Sequence, residues 1–132
     1  VPTRTIQLGD PYEEQAKETA RLVAARISGL SPEFWRFAFQ SQGMSGGPWL
    51  GPTVESAMLE LKKQGHKGVV IAPVGFVCDH VEVLYDVDIA FRQFATGHGL
   101  KLWRPESLNA SPALIAALAN LAASRLGAAF RA

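Results

Sequence analysis

The chain has 132 residues, 48% hydrophobic and 19% charged, which is one packed domain's worth of sequence, able to bury about two-thirds of its unfolded surface. Thirteen Lys and Arg against 12 Asp and Glu leave a formal charge of +1, without the basic surplus that holding nucleic acid by charge requires. The one cysteine, Cys78, excludes an internal disulfide and a Cys-based zinc or iron–sulfur site within the chain, and no uncharged apolar run approaches the roughly 18 residues that cross a bilayer.

A lone thiol fits a reducing, cytoplasmic setting. The chain opens Val1-Pro2-Thr3 with no Met and no signal peptide, so Val1 is expected not to be a native start. Leu126 to Ala132 reads as a fraying, natural C-terminal end.

Gly9-Asp10-Pro11 supplies a breaker, an N-cap carboxylate and a first-turn proline. Ala16, Ala20, Val23, Ala24 and Ile27 then recur at helical spacing until Gly29. Phe34 to Phe39 is short, aromatic and bounded by turn residues, which predicts a strand. Residues 43–52 are too rich in Gly and Pro for anything but a loop. Thr53 caps a second helix that faces inward with Met58, Leu59 and Leu61 and ends at Gln64-Gly65.

The continuous apolar run Gly68 to Val74 predicts a parallel strand buried on both faces. A sharp turn through Gly75-Phe76-Val77-Cys78 leads to a helix over about residues 80–97. Leu100 to Arg104 predicts a third strand. Ser111-Pro112 opens a last helix with Leu114, Leu118, Leu121 and Leu126 on its buried side. Trp35 and Trp103 are expected in the core, Cys78 as a small buried hydrophobe, and His66 and His98 as exposed turn residues. Alternating helices and strands give an α/β fold: a parallel sheet with helices on both faces, in three layers, as one domain over residues 1–132. Ligands bind such sheets beyond the carboxyl ends of the strands. Ser41 to Pro52 and Gly75 to Glu82 fall there.

Asp79-His80-Val81-Glu82 and the nearby Asp86 carry the most chemistry. Glu82 and Asp86 stack on one helix face, where like charges repel by a few tenths of a kcal/mol. A cation between them removes that cost, and carboxylates beside an imidazole suit a transition metal or a proton relay. The same spacing is also a capping box, with Asp86 and Asp88 as solvated surface residues. Trp49, held between prolines in Pro48-Trp49-Leu50-Gly51-Pro52, can stack on a flat ligand or cover the core. Ser41 and Gln42 can hydrogen-bond a ligand or cap the loop. Ser41 lacks the frame of a nucleophile elbow, and the glycines of residues 43–51 lack the Lys-Ser/Thr of a phosphate loop.

In this order the segments resemble the C-terminal half of ferrochelatase, which inserts ferrous iron into a porphyrin. The matching residues are Gly9-Asp10-Pro11-Tyr12, Phe39-Gln40-Ser41-Gln42, Pro48-Trp49-Leu50-Gly51-Pro52, the run from Pro73 to Asp86, and Arg104-Pro105-Glu106-Ser107-Leu108-Asn109. The spacing agrees from about residue 9 to residue 126. The resemblance implies a Rossmann-like chelatase fold of two similar halves with the porphyrin between them. It implies that Glu82 binds iron or accepts pyrrole protons opposite a His from a Ser-Ala-His segment, that Asp86 continues a line that relays metal or protons, and that Trp49 belongs to the pocket wall; beside these, His80 is a catalytic candidate, and Ser41 and Gln42, within a matching segment, are substrate-binding candidates. It implies no organic cofactor, with Fe2+ as substrate metal.

The Ser-Ala-His segment and the whole first half are absent from these residues, so the chain alone is expected to be inactive. Ala90 interrupts the acidic line beyond Asp86, which argues against an outer metal site. Residues 41–48 look more like the soluble bacterial branch that uses coproporphyrin III than the protoporphyrin IX enzymes. Two alternatives stand beside this reading: a sirohydrochlorin-type chelatase, and a non-catalytic porphyrin- or haem-binding domain.

Overall fold

The computed structural model describes residues 2–40 and 48–129. A short helix α1 (Thr3–Gln7) precedes α2 (Tyr12–Ala24) and a single 3₁₀ turn at Pro32–Phe34. Then come α3 (Val54–Lys63), strand β1 (Gly68–Val70), α4 (Val81–Tyr85), a π-helical turn (Asp86–Phe91), α5 (Arg92–Gly97), strand β2 (Lys101–Trp103) and α6 (Pro112–Ala129). The strands are parallel, with Val69 opposite Leu102. Parallel strands joined through helices make the chain an α/β protein.

Thr53 caps α3 as expected, its Oγ1 accepting the Ser56 N–H at 3.2 Å. At α2 the cap shifts by one residue: Pro11, not Asp10, takes the N-cap position, and Asp10 Oδ1 accepts the Tyr12 N–H at 2.8 Å from the residue before it. The first long helix stops at Ala24, before Gly29, because the N–H groups of Arg26 and Ile27 bond three residues back in a tightened last turn. Gly29 then turns the chain at a φ of +76°.

α4, the π turn and α5 form one unbroken helix whose buried positions are Val83, Val87, Phe91 and Ala95. A strict spacing of four drifts about 40° per step around an α-helix. The wider π turn absorbs that drift and keeps all four residues on one face. Against this face pack Val54 and Met58 of α3, Val69 of β1 and Leu102 of β2. Val83 and Val87 are fully buried, and each stabilises the fold by roughly 1.5–3 kcal/mol relative to an exposed side chain.

Several expectations are corrected by this arrangement. Phe34 to Phe39 forms no ladder: Pro32 starts a 3₁₀ turn, and the extended residues after it pair only where the Phe39 N–H reaches the Pro52 carbonyl. Among the described residues β1 has one strand neighbour and one covered face. Val69 and Leu102 face the core, while Val70 and Trp103 are 68% and 54% exposed, so neither the double burial of β1 nor a core position for Trp103 is observed. The Trp103 ring lies over Gly68 instead, where a Cβ would sit 2.6 Å from it. α6 begins as expected, with Ser111 Oγ accepting the Leu114 N–H, but Leu118, Leu121 and Leu126 are exposed because no other described element packs along them. Cys78 is exposed in its turn, and His66 and His98 are half-buried, against Phe34 and Phe94. Residues 43–47 of the Gly-rich loop and residues 130–132 of the tail lie outside the described residues.

Charge ties the ends of the two strands together. Arg104, just past β2, grips Asp88 of the π turn through two hydrogen bonds, Nε to Oδ1 at 2.9 Å and Nη2 to Oδ2 at 2.8 Å. Its Nη1 donates to Asp79 Oδ1 at 3.2 Å, in the turn after β1. The Arg104 hydrogen bonds hold the Asp88 carboxyl below its ordinary range, with Arg92 adding to the effect. Arg92 also donates to the Leu102 carbonyl, covering the free edge of β2.

A carboxylate with a lowered pKa contributes stability that is present above its unfolded value and lost as pH falls through the folded one. Urea melts of the chain are therefore expected to weaken below about pH 4. Arg104→Ala should cost on the order of 2 kcal/mol at pH 7 and flatten that acid slope; an unchanged slope would mean the clamp does not set it. Met58→Ala should cost roughly 2–5 kcal/mol, whereas Leu121→Ala on exposed α6 should stay within about 0.5 kcal/mol, reversing what the helical pattern of α6 predicts.

Candidate functional site

The site is built on the turn between β1 and α4. Residues 71–80 leave the carboxyl end of β1 without regular structure, and the Ile71 N–H closes onto the Trp103 carbonyl at 2.9 Å. Tyr12, from the start of α2, reaches over Gly75. Phe76 packs against the core and carries the His80 ring edge-on, with centroids 4.3 Å apart.

His80 sits at the N-cap of α4 in an extended backbone, and its carbonyl accepts the Leu84 N–H. Its side chain does not cap the helix. The imidazole Nε2 is shut off from solvent and has no hydrogen-bond partner among the described residues. Such an atom is under-satisfied until a hydrogen-bonding group or a cation reaches it. Glu82 follows in the first turn of α4, half-buried. Asp86, also half-buried, lies one turn further on, at the start of the π turn. Its Oδ2 accepts the Gln40 side-chain amide at 3.1 Å, which ties this helix to the chain just before residue 41.

The capping-box reading of Asp79 and Glu82 is corrected: Asp79 turns away from the helix end. Asp79 Oδ2 accepts Asn109 Nδ2 at 3.0 Å, and Oδ1 accepts Ser107 Oγ at 2.8 Å alongside Arg104. The Asn109 amide first, and the Ser107 hydroxyl second, hold the Asp79 carboxyl below its ordinary value. Asp88 is not a free surface residue either, since Arg104 grips it. Asn109 itself has a left-handed backbone, φ +45°. Its N–H donates to the Val77 carbonyl at 2.9 Å, and its Oδ1 accepts the Asp79 N–H at 2.9 Å.

His80, Glu82 and Asp86 are thus placed along one helix start, as expected. Trp49 sits in a loop anchored by Thr3, whose N–H and hydroxyl both donate to the Pro48 carbonyl at 3.0 Å. Its Nε1 is buried without a hydrogen-bond partner among the described residues. Ser41 and Gln42 lie outside the described residues. Among the described residues no three His, Cys, Asp or Glu side chains converge as a metal-ligand set. Sequence reasoning missed the roles of Gln40, Arg104, Ser107 and Asn109. The signal was available: adjacent parallel strands end side by side, so the loop leaving β2 must face the loop leaving β1.

The ferrochelatase family model matches residues 1–126. A ferrochelatase of Acidobacterium capsulatum is 59% identical over 95% of this chain and 38% of its own length. One of Deinococcus radiodurans is 48% identical over 92% of this chain and 38% of its length. A coproporphyrin III ferrochelatase of Bacillus subtilis is 39% identical over 96% of this chain and 40% of its length. The chain spans about two-fifths of the length of the curated relatives it matches. With most of its residues covered by the family model, the chain belongs to the ferrochelatase family.

Proposed function

We propose that this chain supplies the C-terminal part of an active site that inserts ferrous iron into a porphyrin, coproporphyrin III or protoporphyrin IX, in haem biosynthesis. The observation that carries the reading is the buried Nε2 of His80, without a hydrogen-bond partner among the described residues, on the turn that delivers Glu82. Family membership adds the reaction class. The complete domain is read as a Rossmann-like chelatase fold in three layers. The uncovered face of the sheet, with Val70 and Trp103 exposed, is where a further layer fits.

Metallation replaces two pyrrole N–H bonds by bonds to iron and releases two protons per Fe2+. The chemistry needs a base beside the pyrrole nitrogens and a route that brings in a cation as the protons leave. Glu82 is assigned both tasks in part: it accepts a pyrrole proton, or ligates iron on its way in. His80 offers Nε2 to a proton or to the incoming cation. Asp86 continues the acidic line one turn away, with its carboxylate oriented by Gln40. Trp49, Ser41 and Gln42 are assigned to the porphyrin wall, Trp49 by stacking its ring on the macrocycle. The remaining ligand or base comes from residues outside this chain, as does most of the cleft. No organic cofactor is called for. No described helix is long and apolar enough to cross a membrane, and the single, exposed thiol fits the cytoplasm.

In the polypeptide that carries this sequence, Glu82→Gln should lower kcat for iron insertion by about 100-fold or more while porphyrin affinity stays within about threefold. Full activity in that variant would remove Glu82 from the reaction. Trp49→Ala should weaken porphyrin binding about threefold to tenfold, read by fluorescence titration. The 132-residue chain by itself should bind no porphyrin productively and insert no iron. Turnover by the isolated chain would contradict the shared-site reading. Comparing kcat/KM for the two porphyrins decides between them.

A further inference from the structure

We propose that Asn109 is a positioning residue for the site: from a left-handed backbone it brackets residues 77–79 with three hydrogen bonds and thereby fixes the direction in which His80 and Glu82 present their side chains. This inference rests on the reading of the His80–Glu82 turn as part of the iron-insertion site.

The turn is held by the core packing of Ile71 and Phe76, by Arg104 and Ser107 on Asp79 Oδ1, and by Asn109. Residues 71–80 make no strand or helix, and the turn ends in His80, whose side chain caps nothing. Asn109 reaches it from a loop 30 residues away in sequence. Its backbone N–H donates to the Val77 carbonyl, its Oδ1 accepts the Asp79 N–H, and its Nδ2 donates to Asp79 Oδ2. The two side-chain bonds differ in sense. One is donated and one accepted, so an amide fits where a carboxylate, which only accepts, does not. Asp79 Oδ1 is left for Ser107 and Arg104. Both sides of the turn's last residue before His80 are therefore fixed, through its backbone N–H and its side chain. The φ of +45° at Asn109 costs an Asn little and a β-branched residue much more. Glycine serves that backbone equally well but has no side chain to grip Asp79. The two roles, shaping the loop and aiming the site, are thus separable by substitution.

The test uses the intact polypeptide carrying this sequence. Asn109→Gly keeps the backbone conformation and removes both side-chain bonds. Asn109→Asp keeps the acceptor but sets a second carboxylate against Asp79. The exchanged pair Asp79→Asn with Asn109→Asp reverses donor and acceptor in the bond between the two side chains and keeps the others: the position-79 N–H still donates to the position-109 side chain, and the new amide oxygen at position 79 still accepts from Arg104 and Ser107. Two readouts are taken on folded protein: kcat and KM for iron insertion, and the ring-nitrogen NMR signals of His80, assigned with His80→Gln. Each single variant should lower kcat about tenfold to 100-fold with KM for porphyrin changed by less than about threefold, and should shift or broaden the His80 signals. The exchanged pair should recover most of the loss in both. Wild-type kcat and wild-type His80 signals in Asn109→Gly overturn the proposal, and so does an exchanged pair no better than Asn109→Asp alone. The NMR readout is independent of turnover. Undisturbed His80 signals therefore count against the positioning role, while disturbed signals with unchanged kcat support it and count against the function assigned to the turn.

Discussion

The guanidinium of Arg104 joins the turn beyond one strand to the loop beyond the other. It holds Asp88 in two parallel hydrogen bonds and touches Asp79 across the turn, while Ser107 and Asn109 complete the shell around Asp79. Two short strands bury too little to fix a ten-residue turn at their ends. Charge-assisted bonds, each stronger than a neutral one, supply the missing constraint. The helix that carries Glu82 and Asp86 is thereby anchored at both ends of its first two turns. Asp79 is held before it and Asp88 within the π turn, so the acidic residues between them inherit a defined orientation.

Much of this is legible in the residues because local physics decides it. Asp10 and Thr53 bond the N–H groups at helix starts because a carboxylate or hydroxyl beside free N–H groups has few better uses. The apolar spacing from Val83 to Ala95 marks a helix, and the short apolar runs around Val69 and Leu102 mark strands. Phe34 to Phe39, Val70 and the leucines of α6 are not legible in the same way. Their apolar character predicts burial, but burial depends on what lies opposite, and the described residues put little there. The π turn is an intermediate case. Its strict four-residue spacing is visible in the sequence and conflicts with an α-helix, yet only packing shows that the backbone, rather than the pattern, gave way.

The site divides along the same line. Residue type and spacing single out His80, Glu82 and Asp86 as candidates, because proton or metal chemistry needs imidazole and carboxylate close together. The bonds that aim them are hidden from such reading, because they link residues far apart in sequence: Gln40 with Asp86, Asp79 with Asn109, Asp88 with Arg104. The capping box expected at Asp79 shows the cost of reading locally. A near partner is the simplest guess, but a distant one with more bonds to offer takes the carboxylate. In the proposed reading the chain contributes one wall to metallation: the Glu82 carboxylate, an imidazole whose Nε2 has no partner among the described residues, and a rigid support behind both.

Every role assigned to this wall requires that the His80–Glu82 turn meet the porphyrin. A crystal structure of the polypeptide carrying this sequence, with metal-free coproporphyrin III bound, decides whether it does. The macrocycle should sit with its pyrrole nitrogens facing the Glu82 carboxylate at hydrogen-bonding distance, about 3 Å or through one water, and with Trp49 against its face. A porphyrin seated away from Glu82 and His80 would contradict the assignment.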